Sequence, residues 1–219
     1  MRKQRSIIYP PRIIVLILIL LIAFTSCREN SAGHHFRNGT AKYKLGNYVG
    51  AIEDFSKSIA IRDDFTEAYY LKAICESKLK MYDKALHDFN KALELDPDYY
   101  DALFNRAFYV KEQTGDYKGA IEDYERYLEL QPDRHIPFAY NNMGFAKYKL
   151  GRTEEALNDI NRSISLDPGN PYAYRNKGII LFELDSPREA CKHFEKALEL
   201  GYNHEFDTAV EEIYFRNCK

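Results

Sequence analysis

The stretch Thr66–Tyr99, TEAYYLKAICESKLKMYDKALHDFNKALELDPDY, decides the fold. Tyr69, Ala73 and Ser77 recur four apart, and Tyr82, Ala85, Phe89 and Ala92 recur at three and four apart. Both are the spacing of one face of a helix, so the stretch predicts helix, turn, helix. The run ends at Leu95-Asp96-Pro97, where proline removes an amide donor and stops the second helix. The same pattern returns before and after it, which makes this a repeat protein.

The register can be followed through the chain. Ala51, Ala85, Ala120, Ala156 and Ala190 are equivalent, at separations of 34, 35, 36 and 34 residues. Four residues on stand Phe55, Phe89, Tyr124, Ile160 and Phe194, and each preceding helix carries a small residue: Gly39, Ala73, Ala107, Gly144 and Gly178. Small residues let two helices approach closely, and the large residue fills the next turn. This pattern resembles the tetratricopeptide repeat family, including its proline near the end of each repeat, here Pro97, Pro132 and Pro168. The first repeat has Asp63 at that place and the fifth has Tyr202. Tyr127 stands where the other repeats have Ser58, Ala92, Ser163 and Ala197, so a local distortion is expected there.

The resemblance implies an all-α, right-handed superhelical solenoid of about five helix-turn-helix units, at about 32–65, 66–99, 100–134, 137–170 and 171–204. The array then occupies 34–204. The segment 205–219, with Phe206, Ala209, Val210 and Ile213 at helical spacing, reads as a capping helix over the last apolar face, started by Asp207 or Asn203. One extra residue is expected in the turn Gln113-Thr114-Gly115 and two around His135-Ile136.

Residues 1–26 contain Arg2, Lys3, Arg5 and Arg12 and no acid, followed by the unbroken apolar run Ile13–Phe24. Twelve apolar residues fall short of the roughly 20 that span a bilayer. A basic flank, a short apolar run and a small-residue site describe a secretory signal peptide. Phe24-Thr25-Ser26-Cys27 resembles the bacterial lipobox, with Phe24 where leucine is usual. That resemblance implies cleavage before Cys27 and its lipidation with palmitate-type chains; an uncleaved anchor or ordinary cleavage are the alternatives. Residues 27–33 would be a tether, and Arg28 points to the outer membrane of a bacterial cell envelope.

After the leader, 27 basic residues face 33 acidic ones, a net charge of −6. A nucleic-acid partner needs a basic face, so that class is set aside. No phosphate loop, nucleophile elbow, HExxH or GxGxxG sequence is present, and no enzyme, metal or cofactor is expected. His34-His35, His87 and His193 read as polar surface, and Glu53-Asp54, Glu122-Asp123 and Glu154-Glu155 as solvated helix faces. Cys75 reads as a buried apolar thiol. Cys191 takes the place of Ile52, Leu86, Ile121 and Leu157, which faces the next element, here the capping helix. A Cys191–Cys218 disulfide clamping the cap is therefore predicted.

These readings converge on a non-enzymatic, lipid-anchored scaffold that holds another envelope protein in its groove. The alternative is an envelope lipoprotein presenting glycans or peptides to a transporter. The oligomeric state is left open. In the family the groove is lined by first helices at their second, fifth, ninth and twelfth places. Carried over, the expected partner-binding residues are Tyr70, Phe104, Phe108, Phe138, Asn141, Phe145, Tyr148, Tyr172, Arg175 and Phe182. Ile74, Ser77 and Ile179 share that wall. The lysine–asparagine clamp of chaperone-binding members is missing from every repeat.

Overall fold

The computed structural model describes residues 31–130, 134–203 and 210–218. The leader, Cys27, Pro132, Phe206 and Asp207 lie outside them. The described chain is helical throughout, in about eleven helices and no strand. Helix α1 covers 31–44, α2 Tyr48–Ile61, α3 Thr66–Lys78 and α4 Tyr82–Leu95. Helix α5 runs over 100–114, α6 over Tyr117–Glu129, α7 over Ile136–Lys149 and α8 over Thr153–Leu166. Helices α9, Pro171–Glu183, and α10, Pro187–Glu199, follow, and 210–217 form α11. Residues 31–33, expected to belong to the tether, are helical instead, and Ala32 is fully buried with its carbonyl accepting from Ser58 Oγ at 2.9 Å.

The core is a column that repeats with the chain. Ala51, Ala85, Ala120, Ala156 and Ala190 are all fully buried, as are Phe55, Phe89, Tyr124, Ile160 and Phe194. Gly39, Gly144 and Gly178 face this column so closely that an added Cβ would lie 3.0 Å or less from it. A Cβ on Gly144 would lie 2.9 Å from the Ala156 carbonyl oxygen, so the two helices could not keep their separation. Each hairpin turns through one residue of positive φ: Gly46, Lys80, Gly115, Gly151 and Asp185. Glycine adopts that geometry freely, whereas Lys80 and Asp185 hold it against their own Cβ.

Two irregularities fall in the third unit. Residues Ala107–Lys111 of α5 form a π turn. The extra residue therefore sits inside the helix and not in the turn at 113–115. Tyr127, fully buried where other units are small, wedges against Phe104 at 5.2 Å and donates from its hydroxyl to the Arg134 carbonyl. Helix α6 ends at Glu129, and α7 restarts only after His135 in a left-handed conformation (φ 60°).

The reading of Asp54 and Asp123 as solvated is corrected. Both are buried and ion-paired to a lysine of the preceding helix, Lys42 at 2.7 Å and Lys111 at 3.3 Å. His193 is half-buried and stacks on Tyr174, while His87 is exposed as expected. Cys75 is fully buried, and burial pushes its thiol up to about 12. At the C-terminal end Cys191 and Cys218 are joined, with Cα atoms 5.5 Å apart, beside a cluster of Phe194, Val210 and Tyr214.

Candidate functional site

The first helices α5, α7 and α9 stand side by side and leave a pocket of about 370 Å³. Its lining is Phe104 and Phe108 from α5, His135 from the loop, Phe138, Asn141 and Asn142 from α7, and Tyr172 from α9. Apart from His135, each comes from the first or second turn of its helix, or from the π turn. The π turn carries Phe108, which is 37% exposed; Tyr172, at the start of α9, is 52% exposed. Phe104 forms the floor, held edge-on by Tyr124 at 5.7 Å. The His135 ring stacks on Phe104 at 5.5 Å and lies 6.2 Å from Phe138. The left-handed backbone of His135 is what brings that ring over the floor.

A second pocket of about 350 Å³ shares Phe104, Phe108 and His135 and adds Tyr70, Asp101, Asn105, Tyr109 and Arg134. Arg134 is paired with Asp101 there. Burial, followed by the Asp101 charge, raises the Tyr70 phenol well above its ordinary range, so Tyr70 stays a neutral hydroxyl at physiological pH. The apolar pocket and the polar pocket are thus two halves of one face.

Amide side chains run along this wall. Asn105 donates to the Tyr70 hydroxyl at 3.0 Å, Asn142 to the Tyr124 hydroxyl at 3.2 Å, and Asn176 to Asn141 Oδ1 at 3.0 Å. Asn105, Asn142 and Asn176 occupy the sixth place of three successive units. Their recurrence in the sequence was the available signal for them. His135 and Arg134 had only the two-residue insertion to mark them.

The sequence-derived residues divide into three groups. Tyr70, Phe104, Phe108, Phe138, Asn141 and Tyr172 line the joined pockets. Phe145, Tyr148 and Arg175 gather one unit further on: Phe145 is 5.6 Å from Tyr148, with the Arg175 guanidinium 5.4 Å above its ring. Tyr148 also donates to Glu183, and Phe182 packs towards the cluster of α10 and α11. Asn141 is only 2% exposed and serves the amide ladder. Ile74, Ser77 and Ile179 are buried as well, so the wall is less exposed than the pattern implied. Among the described residues no group of three or more His, Cys, Asp or Glu side chains could hold a metal.

The tetratricopeptide repeat family profile matches residues 66–99 and 137–170, and a second profile of that name matches 100–134. The chain is therefore a tetratricopeptide-repeat array. It is 35% identical over 143 residues to the photosystem I assembly protein Ycf3 of Synechococcus elongatus, covering 65% of this chain and 63% of that one. It is 42% identical over 66 residues to sperm-associated antigen 1 of Mus musculus, covering 30% of this chain and 6% of the antigen. The chain thus spans less than two thirds of either relative. Among solved structures, the type IV pilus biogenesis factor PilW superposes with a TM-score of 0.70 at 18% identity, over 77% of each chain. YrrB, described as a TPR protein with an unusual peptide-binding site, superposes with 0.68 at 20%, over 87% of this chain and 97% of that one. These two likenesses establish the fold.

Proposed function

We propose that the chain is a lipid-anchored scaffold of the bacterial cell envelope whose joined pockets on α5, α7 and α9 take an extended segment of another envelope protein. The observation that carries this reading is the exposure of Phe108 and Tyr172 at the rim of an apolar pocket beside a polar one. Aromatic side chains around a concave apolar site are the usual anchors of partner binding. Asn105 and Asn142, half-buried in the pocket walls, are the amides placed to meet an extended backbone. The envelope setting is supported by the order of basic residues, apolar run, small residues and Cys27. A cysteine carrying acyl chains holds a domain at a membrane without a spanning helix, and no described helix is long and apolar enough to cross one. PilW, which shares this fold, is described as a type IV pilus biogenesis factor.

The test places a photo-crosslinking residue at Tyr172 or, as control, at the exposed Glu195 of α10, in the full-length chain in intact cells. A discrete protein adduct at 172 and none at 195 is the expected result; equal capture at both positions would overturn the assignment. Fractionation of the same cells tests the anchor: the wild-type chain should follow membranes, and Cys27→Ser should release it or leave it uncleaved. A wild-type chain found free of membranes contradicts the anchor alone.

A further inference from the structure

The hairpin α3–α4 breaks the charge pattern of its neighbours. In the first, third and fourth units a lysine of the first helix meets an aspartate twelve residues later: Lys42–Asp54 at 2.7 Å, Lys111–Asp123 at 3.3 Å and Lys147–Asp159 at 2.6 Å. In the second unit the aspartate is Asp88, but the lysine place holds Glu76. Two carboxylates therefore confront one another, 1% and 2% exposed.

One cation serves both. Lys72, a turn earlier on α3, reaches Asp88 at 2.6 Å and Glu76 at 3.6 Å. Glu76 Oε2 is buried with no hydrogen-bond partner. A buried carboxylate oxygen without a donor is costly, and protonation is the inexpensive remedy. A pocket of about 280 Å³, lined by Lys72, Glu76, Asp83, Lys84, His87 and Asp88, opens beside the pair and gives the proton a route to solvent.

We infer that Glu76 and Asp88 share one proton, and that its loss loosens the α3–α4 hairpin. The surroundings are consistent with this from every side. On α3, Lys72 and the un-ionised Cys75 adjoin Glu76. On α4, exposed His87 approaches Asp88 at 3.0 Å, and Asp83 and Lys84 sit at the pocket mouth. Tyr69 feels the Asp88 charge. Helix α2 supplies Ala51 and Phe55 to the cluster around Cys75, and α5 supplies Ala102 and Val110 to the cluster around Phe89. Arg106 of α5 is committed to Asp123 and Asn90.

Burial, and then the Asp88 charge, lift the Glu76 carboxyl to about 7, against the pull of Lys72. A glutamate in the unfolded chain ionises near 4.5. Between those values the folded form holds a proton that the unfolded form has released, so stability falls as pH rises through the window. Below it the hairpin is at its tightest; above it the loss is complete.

The test is backbone hydrogen exchange of the mature chain at pH 5 and pH 8, corrected for intrinsic exchange, in wild type, Glu76→Gln and Glu76→Lys. Wild-type protection in α3 and α4 should fall by roughly ten- to a hundred-fold between the two pH values, since one pKa unit is tenfold in an equilibrium. Both variants should lose most of that fall, and Glu76→Lys should do so while restoring the lysine–aspartate pattern of the neighbouring units. Wild-type protection that does not change, or a fall that both variants leave undiminished, overturns the inference. Carbon-13 titration of the wild-type Glu76 carboxyl tests it without substitution: a midpoint near 7 supports it, and one near 4.5 refutes it.

Discussion

Lys111 and Asp123 form the same ion pair, at the same separation of twelve residues, as Lys42 with Asp54 and Lys147 with Asp159. Yet Ala107 precedes Ala120 by thirteen residues, where Gly39–Ala51, Ala73–Ala85, Gly144–Ala156 and Gly178–Ala190 are twelve apart. The extra residue must lie between Ala107 and Lys111, and the π turn is there. Widening one turn absorbs a residue without moving either the crossing point or the ion pair. It also pushes Phe108 outward, so the insertion and the exposed rim of the pocket are one event.

This pair sets the first prediction. Asp123 accepts from Arg106 at 2.8 and 2.5 Å as well as facing Lys111. Asp123→Ala strands two largely buried cations and should cost about 3–5 kcal/mol. Lys111→Met leaves the two-pronged arginine contact in place and should cost only about 1–2 kcal/mol. Urea unfolding followed by circular dichroism measures both. Equal costs would mean that Lys111 carries the aspartate by itself.

The repeat was legible because alanines such as Ala85 and rings such as Phe89 mark two helical faces in every unit. The packing they imply follows from size alone. What stayed hidden depends on depth or on partners in another helix. Asp54 and Asp123 looked solvated, because nothing local shows that a lysine twelve residues earlier arrives to pair with them. Ile74 and Ile179 stand at groove places like Phe108, but short branched side chains sink between helices where a phenylalanine on a π turn cannot. A one-residue insertion has no composition of its own, so its position could not be read without the ion-pair register. Six pocket-lining residues, Tyr70, Phe104, Phe108, Phe138, Asn141 and Tyr172, could be carried over from the repeat pattern. His135 could not, since its place depends on a backbone turn outside that pattern.

The second prediction separates rim from core. Phe108→Ala with Tyr172→Ala removes the exposed rings and should weaken capture of the crosslinked partner about 30-fold, the loss of roughly 2 kcal/mol typical of an anchor residue. Melting should stay within a few degrees of wild type. Ile179→Ala, at a 6% exposed site, should instead cost about 2–4 kcal/mol. A rim variant that melts early would place those rings in the core.

The third concerns the clamp at the C-terminal end. A cross-link closing a 27-residue separation stabilises by about 3–4 kcal/mol in the chain-entropy account. Cys191→Ser, or reduction of the wild type, should lower the melting temperature and free the last helix first. Thiol counting on the denatured, unreduced mature protein should find Cys75 alone when Cys27 carries lipid. Cys191 and Cys218 both labelling would rule out the bridge.

The fourth prediction follows from Glu112, which receives the Tyr124 hydroxyl proton in a hydrogen bond. Burial lifts its carboxyl to about 7, and the Tyr124 bond pulls the other way. The folded value lies above the ordinary 4.5, so this group, like Glu76, makes stability fall as pH rises between those limits. A displacement of that size corresponds to roughly 3 kcal/mol across the window. Glu112→Gln removes the titration and should flatten its share of the slope. Tyr124→Phe deletes the bond that favours the charged form, so the Glu112 value should climb and the decline should continue above pH 7. Urea midpoints at pH 5, 6, 7 and 8 distinguish these outcomes, and Glu76→Gln with Glu112→Gln should abolish the decline. If Tyr124→Phe ends the decline at lower pH, the hydroxyl is stabilising the neutral carboxyl, and the assigned direction of this hydrogen bond is wrong.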